Sequence, residues 1–183
     1  MPFDAISRGA ATQDIRASVL AMPTKLAWLG DGAPRMEVAH VQQTEPAFVA
    51  AGTQLGVTYE LRYRLDQGGL HVELVDGRTL DLELDGADFF NLGWSPLFNS
   101  LPVIRDRLLE PGPPRDYVMR WVDVPSLDVS ISEQRYEPQG GGVVRFRAGE
   151  FVSDITFDKD GFVVSYPGIG ARPAGITLDG GDG

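Results

Sequence analysis

Strict two-residue alternation across residues 59–85 limits what this chain can become more than any other feature. Tyr59, Leu61, Tyr63 and Leu65 interleave with Glu60, Arg62 and Arg64. A period of two puts the apolar set on one face of a strand and the charges on the other. Asp66-Gln67-Gly68-Gly69 then supplies residues that tolerate positive φ, and Leu70, Val72 and Leu74 resume the pattern. After Asp76-Gly77, Leu80, Leu82 and Leu84 alternate with Asp81, Glu83 and Asp85. Three strands joined by tight turns predict an antiparallel meander.

The second half repeats this texture. Residues 117–124, 127–131, 143–147, 151–157 and 162–166 are strand-length runs parted by Pro125-Ser126, the glycine-rich stretch 138–142, Gly149-Glu150 and residues 158–161. Helix is conceivable only at residues 1–21 and 103–109, and Pro111, Pro113 and Pro114 end the second stretch. Gly (22) and Pro (13) are abundant beside 43% apolar and 9% aromatic residues, which describes a turn-rich globular β chain. Its 183 residues suit one domain. We place that domain at 25–173, after a weakly ordered extension (1–24) and before a flexible tail (174–183). The segments 66–74 and 158–166 both read Asp, two variable residues, Gly, apolar, any, Val, any, apolar. A hairpin turn followed by a strand accounts for the match, and so does duplication of a β unit.

Composition removes several functions. No cysteine means no disulfide framework, thiolate zinc site or cysteine nucleophile. With 16 Lys+Arg against 26 Asp+Glu the net charge is −10, and the basic residues are scattered, so a nucleic-acid partner is not expected. No apolar run approaches the roughly 20 residues that span a bilayer. The N-terminus carries Asp4, Arg8, Asp14 and Arg16 without a continuous apolar stretch, so the expectation is a cytoplasmic protein.

Motifs that carry chemistry fall short. Asp81, Glu83 and Asp85 offer three carboxylates on one face, suited to calcium or acid/base work, but they are equally the wet face of a strand. Asp158-Lys159-Asp160-Gly161 opens like a calcium loop and lacks the closing Glu. Gly93-Trp94-Ser95-Pro96-Leu97 comes within one residue of a hydrolase elbow, with Leu97 where a glycine is needed and only His40 or His71 as a base. Gly168-Ile169-Gly170 continues into Pro173 and fails as a dinucleotide loop. No catalytic residue, metal site or cofactor is expected. The stretch 88–105 stands out instead: bulky, irregular, mixed with Asn and Arg, it must be buried or must line a cavity.

Leu84-Asp85-Gly86, then Ser95-Pro96, Asn99-Ser100-Leu101-Pro102 and Arg105, resemble in order and spacing the putative glycolipid-binding family of bacterial proteins. So do Trp121-Val122-Asp123-Val124-Pro125-Ser126-Leu127, Gln134-Arg135-Tyr136, and residues 158–161 leading to Val164-Ser165-Tyr166-Pro167-Gly168 and Arg172. The resemblance covers residues 28–173. It implies a mainly β fold, a strongly curved antiparallel sheet or open barrel around an apolar cavity, like bacterial lipoprotein-carrier domains, and a glycolipid ligand. Ile104 departs from the family, which usually has an arginine pair at the positions of Ile104 and Arg105.

An amphiphile needs an apolar chamber and a polar mouth. Phe89, Phe90, Trp94, Leu97, Phe98, Leu101 and Val103 are candidates for the chamber, with Trp94 and Phe98 as ligand contacts. Asn99, Arg105, Arg135 and Tyr136 are candidates for the mouth. The expectation is non-catalytic binding of an amphipathic small molecule. Two alternatives stand beside it: a protein-interaction or homodimerisation module using residues 88–105, and a serine hydrolase using Ser95.

Overall fold

A computed structural model describes residues 24–44, 47–66 and 68–174. The expected extension (1–24) with its helix candidate therefore lies outside the described residues except for Thr24, and so does the expected tail except for Ala174.

The alternation predicted for residues 59–85 forms β4 (Glu60–Leu65), β5 (Gly69–Leu74) and β6 (Thr79–Glu83), preceded by β1 (Thr24–Gly30), β2 (Met36–Thr44) and β3 (Ala47–Leu55). A short β7 (Phe89–Leu92) leads into α1 (Pro96–Arg105). Then come β8 (Arg115–Val122), β9 (Val129–Gly140), β10 (Val143–Ala148), β11 (Phe151–Phe157), β12 (Val163–Tyr166) and β13 (Gly170–Ala171). All thirteen strands belong to one sheet, curved but not closed, in the order β6-β5-β4-β3-β2-β1-β13-β12-β11-β10-β9-β8-β7. Every pairing is antiparallel except β7 with β8, which run parallel because α1 carries the chain back between them.

This order describes two arms. β1 to β6 step outward as hairpins, residues 84–88 carry the chain to the opposite edge, and β7 to β13 step back until β13 pairs with β1 at Leu29↔Ala171 and Gly30↔Gly170. Both glycines at this seam are needed: a side chain at Gly30 would strike the Ala33 carbonyl, and one at Gly170 would press on the Leu29 carbonyl. At the outer edges, where no ladder joins β6 to β7, Arg120 Nη1 donates to the Glu83 carbonyl at 3.1 Å and Arg78 Nη1 to the Ser126 carbonyl at 3.4 Å.

The helix lies inside the curve. Residues Pro96 to Val103 are all buried, so α1 has no wet face and no amphipathic signature, unlike a helix laid on a surface. Pro96 sits in its first turn, where a missing N–H costs nothing; Pro102 is interior, and packing on every side holds the helix through it. The predicted helix at 103–109 therefore shifts: the observed one starts at Pro96 and stops at Arg105. Phe98 meets Tyr63 edge to face at 5.4 Å, and the Ser100 hydroxyl accepts the Val163 N–H at 3.0 Å. Trp28 Nε1 donates to the Val163 carbonyl at 2.8 Å, tying the two arms together below the helix.

The acidic strand β6 is a wet face: Asp81, Glu83 and Asp85 are exposed, and Asp81 bonds His71 at 2.7 Å. Residues 158–161 form a turn in which Asp158 Oδ1 accepts the Asp160 and Phe162 N–H groups while Arg172 binds its other oxygen. The two matched segments build different hairpins. Leu65 faces Leu70 across a short turn, whereas β11 and β12 are joined through a register shift with Phe157 facing Val163.

Candidate functional site

The junction between β7 and α1 builds the first half of the site. Gly93 donates its N–H to the Val122 carbonyl at 2.8 Å, and a side chain there would press on the Val122 and Val124 backbone. Trp94 then takes φ 64°, a left-handed conformation rare for a bulky residue, which turns its indole outward. The indole is 44% exposed, with the Arg35 guanidinium stacked 4.0 Å from the ring centre. Ser95 occupies the N-cap position of α1 but makes no side-chain cap bond. Its hydroxyl donates instead to Glu37 Oε1 at 2.7 Å.

Glu37 holds that hydroxyl from outside the helix. Its Oε1 accepts the Ser95 hydroxyl and, at 2.5 Å, the Tyr63 hydroxyl, and the Leu97 amide in the first turn of α1 also favours the carboxylate. Tyr63 reaches it because its ring lies across Gly52, where any side chain would collide with it. Burial outweighs these neighbours and pushes the carboxyl up to about 7 from 4.5. Glu37 Oε2 and Arg35 Nε have no hydrogen-bond partner, and both residues border a small pocket of about 10 Å³, room for one water at most. Alternation alone conceals Glu37, which occupies an inward position on β2 beside Ala39 and Val41. The signal available in the sequence is a charged residue inside an apolar phase, Glu37-Val38-Ala39-His40-Val41.

On the other side of Trp94 a cleft of about 460 Å³ opens between α1 and the β7–β12 arm. Leu92, Phe146, Ala148, Tyr166 and Ile169 make its apolar walls, with Trp94, Trp121, Ile131 and Phe151 toward the rim. Its polar side comes from Asn91 on β7, Ser95 and Asn99 on α1, Ser130, Ser132 and Gln134 on β9, and Asp123. The buried amides form a relay. Asn91 Nδ2 donates to Gln134 Oε1 at 3.1 Å, Tyr136 donates to the same oxygen at 3.2 Å, and Asn99 Nδ2 donates to the Tyr136 hydroxyl at 3.0 Å. Gln134 Nε2 reaches Ser132 Oγ at 3.3 Å. Behind the relay, Phe89, Tyr117, Tyr136, Phe146 and Tyr166 pack edge to face with ring centres 5.2 to 6.0 Å apart.

Of the six residues expected at the ligand, Trp94 and Asn99 border the cleft and four do not. Phe98 is fully buried against Tyr63, and Tyr136 stands behind the floor with its hydroxyl spent on Asn99 and Gln134. Arg105 lies over the Phe89 ring at 3.9 Å and bonds Asp106. Arg135 points to the opposite face of β9, where it pairs with Asp116 at 2.8 Å and Glu137 at 3.3 Å along a charged hollow of about 530 Å³. The chamber expected from Phe89, Phe90, Leu97, Leu101 and Val103 is solid core, since α1 fills the curve from within. Ile104 packs on Gly161, whose φ of 88° and absent side chain leave it room, so here that position serves packing. The cleft residues missed from sequence, Ser130, Ser132 and Gln134, do carry a signal: they alternate with Ile131, Glu133 and Arg135, giving a strand polar on both faces.

Ser95, the candidate nucleophile, shares no hydrogen bond with a histidine among the described residues; His71 bonds Asp81, and His40 is exposed on β2. No helix among the described residues is long and apolar enough to cross a membrane.

The fold is similar to the crystal structure of a DUF1089 family protein from Pseudomonas aeruginosa, at a TM-score of 0.53 and 20% sequence identity over 84% of this chain and 93% of that one. No curated protein matches the chain. Residues 60–172, from the start of β4 past β13 and including all the cleft residues, match the family model described as putative glycolipid-binding. The chain therefore belongs to the putative glycolipid-binding family.

Proposed function

We propose that this protein binds an amphipathic small molecule of the glycolipid class without transforming it, and that the cleft beside Trp94 is where it does so. One observation carries the reading: a cleft of about 460 Å³, within the range of small-molecule sites, combines apolar walls with a side of buried amides and of serine hydroxyls. An amphiphile matches both halves at once. The family assignment supports the ligand class. The absence of chemistry is supported by the commitment of the Ser95 hydroxyl to Glu37, which leaves the most reactive-looking motif in a structural bond.

Native mass spectrometry of the protein expressed in bacteria tests this. The expected spectrum contains a bound species that extracts as lipid and is lost from Trp94→Ala, while the melting temperature of that variant changes little because the indole is partly exposed. A protein that neither carries nor takes up any lipid would overturn the proposal.

A further inference from the structure

We infer that the cleft selects an uncharged, polyhydroxylated head group and turns away phosphorylated, sulfated or carboxylated amphiphiles. This rests on the reading of the cleft as an amphiphile site and adds the chemistry of the head. Among the residues bordering the cleft there is no Lys, Arg or His, and the single carboxylate is Asp123. An anion brought there gives up hydration and gains no cation in return. The arginines next in sequence to cleft residues are engaged elsewhere. Arg120 donates to the Glu83 carbonyl and faces Asp85, Arg135 pairs with Asp116, Arg145 with Asp154 and Arg147 with Glu137, while Arg35 stacks on Trp94 from the side of the small pocket.

The relay offers what a sugar needs. Gln134 Oε1 accepts from both Asn91 and Tyr136, which fixes the orientation of the amide. The Tyr136 hydroxyl accepts from Asn99 and donates its one proton to Gln134, so it has none left for a ligand. What remains toward the cleft is mixed: amide N–H and carbonyl groups of Asn91 and Asn99, and the Ser132 hydroxyl, which accepts from Gln134 and so has its own proton to give. Hydroxyls of a pyranose both donate and accept and can satisfy such a set; a phosphate or carboxylate accepts only. Asn91, Asn99 and Gln134 are each 3% exposed or less, so their orientations are held by packing.

Titration of the full-length protein with dodecyl maltoside, dodecyl phosphate and dodecanoate, all below their micelle concentrations and followed by tryptophan fluorescence and calorimetry, separates the terms because the tails are alike. The expected result is at least about tenfold tighter binding of the maltoside than of either anion, with Asp123→Asn narrowing the gap and Ser132→Leu removing maltoside binding while the fold, checked by circular dichroism, persists. Equal binding of the three probes, or tighter binding of an anion, would overturn the head-group inference and leave the amphiphile reading standing. Maltoside binding that survives Ser132→Leu would overturn the inference by placing the head elsewhere. No binding of any probe would remove both.

Discussion

On β4 the inward residues are Leu61, Tyr63 and Leu65, all buried, whereas the corresponding face of β9 carries Ser130, Ser132 and Gln134, which border the cleft and of which only Gln134 is buried. Both strands obey the same alternation within one sheet, and both face α1. The large side chains of β4 interdigitate with the helix, Tyr63 against Phe98, and leave no space. The serines of β9 are too short to fill the space, although farther along the strand Tyr136 meets Asn99 of the helix, and the remaining volume is the cleft. The size of every second residue, more than backbone curvature, decides which arm is core and which is site. The polar groups buried in each arm follow suit: Glu37 is held by the Tyr63 and Ser95 hydroxyls, while the Gln134 relay stays partly open to the cleft.

The largest test of this contrast is Phe98→Ala. Emptying the filled arm is expected to cost about 3–5 kcal/mol, measured by urea denaturation, with the affinity of the folded protein for dodecyl maltoside unchanged. A tenfold loss of affinity would mean that the two arms are not separable. Next comes Glu37, whose buried carboxyl is raised from 4.5 to about 7. Below pH 4.5 both the folded and unfolded chains hold the proton; between 4.5 and 7 the unfolded chain releases it first, so stability falls as pH rises and levels off above 7. A shift of this kind is worth on the order of 3 kcal/mol, and Glu37→Gln should flatten the profile in that window, as read by thermal melts across pH. An unchanged profile would show that another group sets it.

Ser132→Leu gives β9 a side chain of the β4 kind. It should weaken maltoside binding by at least tenfold, about 1.4 kcal/mol, while stability holds or rises, and a cleft that still binds would break the size argument. The smallest effect is expected from Arg105→Ala. Losing its stacking on Phe89 should cost roughly 0.5–1 kcal/mol and leave binding untouched, as titration beside a denaturation curve would show.

Strand positions were legible because alternation is a local property: β4, β5, β6, β8, β10, β11 and β12 lie within two or three residues of where the pattern puts them. The helix was not legible. It carries two prolines and mixes bulky apolar residues with Asn99, Ser100 and Arg105, so no amphipathic stripe announces it, and enclosure by the sheet makes such a helix stable. The ligand candidates divide in the same way. Trp94 and Asn99 border the cleft, while Phe98, Arg105, Arg135 and Tyr136 were grouped with them by nearness in sequence or by family block and are parted by strand phase and helix face.

By itself, the chain's pattern of apolar, charged and turn-forming residues determined a mainly β architecture of hairpins with one wet face, because period and turn chemistry act between near neighbours. Only the tertiary structure decided that the apolar stretch after Asp88 becomes a buried helix, that Glu37 on another strand binds its N-cap serine, and that the free space opens beside β9. Those outcomes depend on which side chains meet across the curve of the sheet, and the residues that meet there, such as Glu37 with Ser95 and Asn91 with Gln134, stand 58 and 43 positions apart in the chain.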